Sequence, residues 1–373
     1  MFNRQFFSRA FQELSGSLHV HTEYSSDCDM PMRRIMHAAR RARLDFLGLT
    51  DHHDQRAAKD PSVLAETKMH VLVGVEVNDP RAENHYLVFG DDDIMQKREA
   101  AEYVEHYHRR GATGFMAHPR ERRVGNKYPM YPWTAGLLEN VDGIEVWNYI
   151  SSWLGSLSLI FNAAILVFLP MFFVRRPLRE NLDLWDEMNR RSWRKAAIGS
   201  VDAHAHRRSF LGIKFRVLPH CYLFRTIRTN VLLYEDETAG NEAILCALRE
   251  GRSYIINYQI GHPHNFWAGV WSPEGQSACF GEEICFADGM RYYYNLPSRA
   301  SVSLFRDGVR IDRQTGENGF FVLDRPGAYR LEIRRWLYGW IYTNNIWVVP
   351  DEQALERGNE STEQSQRQDG QAQ

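Results

Sequence analysis

The chain has 373 residues, a formal net charge of −2 from 45 Lys and Arg against 47 Asp and Glu, and 44% hydrophobic residues. This length buries a large core and a smaller one. The balanced charge excludes the basic character of nucleic-acid binders, so no nucleic-acid partner is expected. The scattered cysteines form no C-x-x-C pair, and the N-terminus lacks the apolar core of a signal peptide, so we expect a cytoplasmic protein.

The first two thirds of the chain alternate short apolar strands with helical stretches. Strands are predicted over 17–21, 45–50, 70–77, 85–90, 113–118, 142–147 and 197–202. Helices are predicted over 32–43, just after Pro31, and over 97–110, which ends at Gly111. This alternation predicts parallel strands, and about seven repeats favour a barrel over an open sheet.

The pattern changes near residue 229. A helix is predicted over 241–249, stopped by Gly251, followed by aromatic and β-branched strands separated by turns such as Arg306-Asp307-Gly308. Short strands of this kind predict a β-sandwich. We therefore expect a barrel domain over 1–228, a β-sandwich over 229–350, and a polar, disordered tail over 351–373.

Residues of the types that bind metals fall in order at the predicted strand ends. In a strand, residues two apart point to the same side, so His19 and His21 share a side, as do Asp202 and His204. Parallel barrel strands bring their carboxyl ends to one face, where these side chains converge. The full series is His19, His21, Asp27, His52, Glu76, His85, His118, Asp202 and His204.

A single histidine is more often a structural or surface residue than a ligand. The pairs His106/His108 and His262/His264 show this, since the first lies in a helix pattern and the second in a Gly/Pro loop. The ordered set of motifs, rather than any one of them, carries the metal-site hypothesis.

The set resembles the PHP (polymerase and histidinol phosphatase) superfamily of metal-dependent phosphoesterases over roughly residues 16–215. The matching motifs are HVHTEYSSD, LTDHHD, VGVEV, NHYLVFG, AHP, IEVWN and SVDAH. The resemblance implies an α/β fold with a distorted seven-stranded (β/α) barrel and a site for two or three divalent ions, with Zn, Mn and Fe all suited to the donors. It also implies that the series above supplies the ligands; Asp29 lies close enough to compete with Asp27.

The β-rich second half of the chain resembles one particular branch of this superfamily. The order of the two halves, with NEAILCALREGRSYI and WIYTNNIWVV, is similar to the CehA/McbA-type hydrolases. Some members of that branch hydrolyse carbamates or carboxyl esters.

The expected reaction is attack by a metal-activated hydroxide on a small-molecule phosphoester or ester. We expect Glu76 to bridge two ions, and His53 to act as general acid or to bind the leaving group. Arg120 and Arg207 would bind phosphate, with solvated loops as an equal alternative. Asp51 is expected to orient His52. The alternatives are a carboxyl-ester or carbamate hydrolase, and a non-catalytic metal-binding module.

The stretch 151–174 has no charge and is long enough to be a membrane-span candidate. A single crossing would separate Asp202 and His204 from the other ligands, so we reject a span. A buried or dimer-forming insertion is favoured over a hairpin that contacts the membrane surface. The second alternative would make the protein membrane-associated.

Overall fold

The computed structural model describes residues 2–6, 9–123, 129–156, 170–210 and 212–350. The predicted tail 351–373 and positions 157–169 of the uncharged stretch lie outside this part. The helices are α1 (Met32–Ala42), α2 (Pro61–Leu64), α3 (Ala100–Arg109), α4 (Tyr149–Leu154), α5 (Arg179–Arg190), α6 (His220–Leu223) and α7 (Asn241–Glu250), with 3-10 turns at Arg56–Lys59 and Pro170–Phe172. Among the described residues, no helix is long and apolar enough to cross a membrane.

Every strand predicted in the first half is present within a few residues. The strands here are β1 (Phe2–Phe6), β2 (Arg9–Val20), β3 (Phe46–Leu49), β4 (His70–Val77), β5 (Tyr86–Phe89), β6 (Thr113–Met116), β7 (Gly143–Asn148) and β8 (Ala196–Ser200). The sequence patterns missed β1 and the first half of β2, which pair with each other in antiparallel register.

One strand runs against the predicted direction. β2, β3 and β4 pair in parallel, as do β6, β7 and β8, but β5 is antiparallel to both of its neighbours. A parallel strand needs a crossover of a dozen or more residues, and the connection between Val77 and Tyr86 is too short to provide one. The reversal places the start of β5, rather than its end, beside the carboxyl end of β4.

The second half is rich in strands, as predicted. They are β9 (Arg207–Phe210), β10 (Ile213–Arg216), β11 (Ile227–Tyr234), β12 (Ser253–Asn257), β13 (Trp267–Trp271), β14 (Ser277–Ala278), β15 (Glu283–Cys285), β16 (Arg291–Arg306), β17 (Val309–Val322), β18 (Gly327–Arg335), β19 (Tyr338–Thr343) and β20 (Ile346–Val349). β16 has a register shift between Asn295 and Ala300 in its pairing with β17. The predicted turn is confirmed, with φ of 51° at Asp307 and 80° at Gly308.

The fold is mixed α/β, with few helices and one sheet that joins both halves of the chain. β11 pairs with β2 on one side and β12 on the other, and β12 pairs in turn with β19. A buried apolar cluster contains Leu18 of β2, Phe46 of β3 and Phe115 of β6 together with Ile244 and Leu248 of α7. Helix α7 therefore packs against the strands of the first half.

Backbone hydrogen bonds connect the end of β8 to β2. The Val201 amide donates to Leu18 O at 3.3 Å, and the Ala203 amide donates to His19 O at 3.2 Å. The His21 amide returns a bond to Ala203 O at 3.1 Å. These bonds bring the segment after β8 beside the end of β2, where the first predicted ligands lie.

Candidate metal centre

The strand ends gather a cluster of imidazole and carboxylate side chains. In each group the nitrogen and oxygen atoms that could bind an ion lie within 4.8 Å of one another. The groups are His21 with Asp27, His52 and His204; His19 with His21 and Glu76; His19 with His118 and Asp202; and His52 with Glu76 and His85. The structure thus brings together all the residues in the predicted series, and the antiparallel β5 explains why His85 precedes its strand.

Residues at the centre of the cluster have a left-handed backbone. The φ angle is 60° at His19, 28° at His118 and 54° at Asp202. Residues with a Cβ atom rarely adopt this conformation, which costs about 1–3 kcal/mol each. Strain of this size persists where the surrounding structure fixes it, and here it turns the chain at the points where the side chains converge.

Glu76 lies at the middle of the cluster, and its two oxygens face different histidines. Oε2 lies 3.1 Å from His19 Nε2 and 3.2 Å from His21 Nε2. Oε1 lies 2.7 Å from His85 Nδ1 and 3.4 Å from His118 Nε2. The carboxylate is 1% exposed, so water does not compensate its charge. Two oxygens that face separate sets of nitrogens suit a carboxylate that bridges two cations.

Two aspartates complete the cluster. Asp202 Oδ1 lies 3.4 Å from the Nε2 atoms of both His19 and His21. Asp27 Oδ2 lies 2.9 Å from His204 Nε2 and 3.4 Å from His52 Nε2. The Asp27 side chain is 39% exposed, so it extends the cluster toward the surface.

The donor atoms fit divalent ions. His21 Nε2, His85 Nε2 and His118 Nδ1 are buried and make no hydrogen bond within the described part of the chain. His19 Nδ1 lies 2.9 Å from Glu145 Oε1. When Nδ1 donates a hydrogen bond to that oxygen, Nε2 carries no proton and can bind an ion. The Cys28 thiol donates to backbone carbonyls instead of joining the cluster. Nitrogen and oxygen donors without thiolate suit Zn, Mn or Fe.

The charges of the cluster suit a bound cation. Burial disfavours a charged His21, but the facing carboxylates of Asp202 and Glu76 raise its pKa to about 10. Burial also opposes charging of His118, whose pKa the nearby carboxylates raise to about 9. Burial favours neutral Glu76 and Asp202, but His19 holds the pKa of both carboxyls well below their usual range. The carboxylates are thus ionised, and bound metal ions would supply the positive charge that protons otherwise provide.

Comparison with known proteins agrees with this geometry. Residues 17–127 match the family model of the PHP domain. This stretch of the chain is similar to a PHP domain. Domains of this family are typically metal-dependent hydrolases, and the match supports membership of the PHP superfamily. The search of curated proteins returned no match. Asp202 and His204 lie beyond the matched residues, and the folded chain brings them to the ligands within it.

A buried carboxylate, Glu145, contacts two residues of the predicted ligand series. Besides its contact with His19, Glu145 accepts hydrogen bonds from the His118 amide at 2.7 Å and from Asn148 Nδ2 at 2.9 Å, and the Ser200 hydroxyl also donates to it. Burial favours its neutral form, but the facing His19 holds the pKa of Glu145 below its usual range. Glu145 thus orients two of the predicted ligands.

The predicted role of Asp51 is wrong. Its carboxylate accepts hydrogen bonds from the Thr22 amide at 2.6 Å and the Thr22 hydroxyl at 2.7 Å instead of contacting His52. Asp51 therefore fixes the chain just after His21. The D-H spacing suggested contact between neighbours, but adjacent residues at a strand end point in different directions.

The sequence patterns did not mark two residues that lie beside the clustered histidines. Glu121 is 8% exposed and lies 3.7 Å from His118 Nδ1, while it also accepts a bond from Arg123 at 2.6 Å. The ring of Tyr131 stacks on His85 with ring centroids 4.9 Å apart. The spacing of Glu121 from His118 could have marked it, but no sequence signal marks Tyr131.

The cluster opens on a cavity of about 260 Å³ lined by Asp27, Asp29, His204 and Arg207, with Ser26, Cys28 and His206. Arg207 pairs with Asp29 at 2.5 Å, which shows that Asp29 serves the arginine while Asp27 joins the histidines.

The other residues predicted to act on substrate lie outside the metal groups. Arg120 is exposed, and its amide donates to Asn181 Oδ1 at 3.0 Å. His53 Nε2 lies 2.8 Å from Asn78 Oδ1. Of the predicted substrate residues, Arg207 is the one that lines the cavity.

Proposed function

We propose that the chain is a metal-dependent phosphoesterase whose two or three divalent ions are held by the cluster around Glu76. The observation that carries the proposal is the placement of Glu76, whose separate oxygens face separate groups of buried histidines. The PHP domain match supports the same class of reaction.

The residues of the chain would hold the ions and shape the reaction around them. Divalent ions in such a site supply Lewis acidity and lower the pKa of water toward neutrality. Glu76 would bridge two ions, and Glu145 would keep the Nδ1 proton of His19 away from the bound ion. Asp27 and His204 would bind on the open side, where a substrate can enter the cavity.

Arg207 is the best candidate for binding a phosphate in the cavity. Its side chain is 66% exposed and its guanidinium pairs with Asp29, so a phosphate would exchange with that carboxylate in a forked hydrogen-bonded pair. His53 as proton donor and Arg120 as phosphate ligand stay predictions.

A carboxyl ester or carbamate is the second candidate substrate for the same metal site. The observation that favours it is that Arg207 is paired and Arg120 is exposed, so the cavity presents little free positive charge for a phosphate. The third reading, a non-catalytic metal-binding module, is disfavoured by the complete set of clustered ligands.

We also propose the finer architecture that the sequence predicts. The bonds between β8 and β2, and the apolar cluster shared by strands of the first half, support a distorted seven-stranded barrel over 1–228. A second buried cluster formed by β12 to β20 supports a β-sandwich over 229–350. This order supports the CehA/McbA-type branch. The free cysteines support a cytoplasmic location.

The test measures bound metal and turnover on the same protein. Metal content is determined by mass spectrometry, and hydrolysis is followed with aryl phosphate mono- and diesters and an aryl acetate. Asp202→Ala and His21→Ala remove groups from the cluster, while His108→Ala removes an exposed histidine of α3 as the matched control.

Two or three ions, with phosphoester turnover lost in both cluster variants and kept in the control, would support the proposal. Turnover of the acetate alone would replace the phosphoester by the second candidate. Little metal after supplementation, with no turnover on any substrate, would overturn the catalytic reading.

A further inference from the structure

A second cleft lies away from the cavity of the metal centre and is rich in arginine. It has a volume of about 480 Å³ and lies between α5, the segment before it and strands β18 and β19. Its lining is Arg122, Ser152, Ser156, Phe173, Arg175, Arg176, Pro177, Leu178, Arg179, Glu180, Leu182, Arg334 and Tyr342. Glu180 is the one acidic residue in this described lining, and it is paired with Arg122.

Two arginines of the cleft lining, and a third arginine next to Arg334, have no carboxylate partner among the described residues. Arg175 and Arg176 are exposed, and in the described part of the chain neither forms an ion pair with a carboxylate. Arg175 Nε donates to the Phe172 carbonyl at 3.0 Å. Arg335, at the end of β18, bonds to the Ile260 carbonyl at 2.9 Å and also lacks a carboxylate partner among the described residues. Three guanidinium groups are therefore available for an anionic surface.

Large apolar side chains project beside these arginines. Trp336 is 76% exposed and Leu337 is 70% exposed, at the turn between β18 and β19. Phe172, three residues before Arg175, is 47% exposed. Arg335 lies over the Trp336 ring, with 4.7 Å between the guanidinium carbon and the ring centroid. Exposed aromatic and leucine side chains next to arginines are typical of surfaces that insert into the interfacial layer of a membrane.

The arginine and apolar groups belong to one surface. The Gly339 amide, just after the exposed turn, donates to the Arg175 carbonyl at 2.8 Å. The Ser156 hydroxyl donates to the Phe173 carbonyl at 3.3 Å, so these two residues of the uncharged stretch 151–174 meet at the cleft. We call Phe172, Arg175, Arg176, Trp336 and Leu337, with Arg335, the basic apolar face.

We propose that the basic apolar face docks the protein on an anionic phospholipid membrane. A second copy of the chain is a poor occupant, because a symmetric contact would place the unpaired arginines of both copies against one another. An anionic bilayer offers negative charge to the arginines and an apolar layer to Trp336 and Leu337. This inference goes beyond the hydrolase function and does not depend on it.

The experiment is co-sedimentation of the full chain with vesicles. Vesicles of phosphatidylcholine alone are compared with vesicles that also contain phosphatidylserine, at low and high salt. One variant pair is Arg175→Glu with Arg176→Glu, and the other is Trp336→Ser with Leu337→Ser. The matched controls are Arg299→Glu with Arg310→Glu, and Val309→Ser with Val322→Ser, all exposed on the β-rich half.

We expect binding only to the anionic vesicles, weakened by salt. Each arginine near such a surface strengthens binding about fivefold, so the double variant Arg175→Glu with Arg176→Glu should lower the affinity for anionic vesicles at least about 25-fold. The double variant Trp336→Ser with Leu337→Ser should lower that affinity at least about tenfold. Both control pairs should bind like the parent protein, and all variants should keep its melting temperature and turnover.

Several results would overturn the proposal. The first is a lack of binding to either type of vesicle. The second is binding that the face variants do not weaken more than the controls. The third is a parent protein that elutes as a dimer while the double variant Trp336→Ser with Leu337→Ser elutes as a monomer. A second copy of the chain would then occupy the basic apolar face.

Discussion

Glu145 offers the sharpest test of how the metal ligands are oriented. Its two oxygens accept from His19 Nδ1 and the Ser200 hydroxyl on one side, and from the His118 amide and Asn148 on the other. In Glu145→Gln one side receives an NH2 group in place of an oxygen. If this group faces His19, it favours the tautomer with the proton on Nε2, the atom needed for the ion. If it faces His118, it meets a backbone donor.

Either orientation of the new amide in Glu145→Gln should weaken metal binding or folding stability by an amount that can be estimated. Loss of a carboxylate that orients a metal-bound histidine lowers metal affinity about 10–100-fold, which corresponds to about 1.4–2.7 kcal/mol. A buried donor left without an acceptor costs about 1–3 kcal/mol of folding stability. We therefore expect weaker metal binding together with a lower free energy of unfolding.

The assay is a chelator competition titration of the parent protein and Glu145→Gln, alongside urea unfolding of the metal-free forms. Glu139→Gln, at an exposed glutamate nearby in the sequence, is the matched control. Equal metal affinity in Glu145→Gln and the control would refute the reasoning, because the orienting role of Glu145 would then have no energetic consequence.

Three further outcomes follow from the structure. In Arg330→Met the buried carboxylates of Asp186 and Glu332 lose the guanidinium that they share at 2.8 and 2.9 Å. The free energy of unfolding measured in urea should therefore fall by about 3–5 kcal/mol, and an unchanged urea midpoint would contradict this. Burial lowers the pKa of His21 but its carboxylate partners raise it to about 10, so ions must displace its proton; apparent metal affinity should rise from pH 6 to pH 9, and a flat titration would count against the site. Removing the ions with a chelator should lower the melting temperature, since free ion at one hundred times Kd stabilises by about 2.7 kcal/mol, and an unaltered melting curve would exclude bound ions.

The strand ends of the first half could be predicted because each is a short apolar run followed at once by polar residues. This pattern predicted that His19, His118 and Asp202 lie at strand ends, and parallel pairing places those ends at one edge of the sheet. The direction of β5 was predicted wrongly, because the overall alternation of strands and helices favours parallel strands while β4 and β5 have no helix between them. The short connection from Val77 to Tyr86 carried the missing information.

Contacts between distant residues account for the other differences. Nothing near Asp51 in the sequence shows that Thr22, twenty-nine positions earlier, supplies its hydrogen bonds. The first half of β2 was missed because its partner β11 lies more than two hundred positions later, as in the pairing of Gly16 with Thr229.

The same pairing determines when the metal ligands can assemble. The strand that ends beside His19 pairs with residues up to Tyr234, so it waits until more than half of the chain has left the ribosome. At about 5–20 residues per second, that wait is long compared with the closure of a local helix or hairpin. Contacts this distant in sequence also slow folding. Ions in the cell therefore first meet the nascent chain as separate histidines and carboxylates, and the site closes around them late, when the β-rich half has begun to fold.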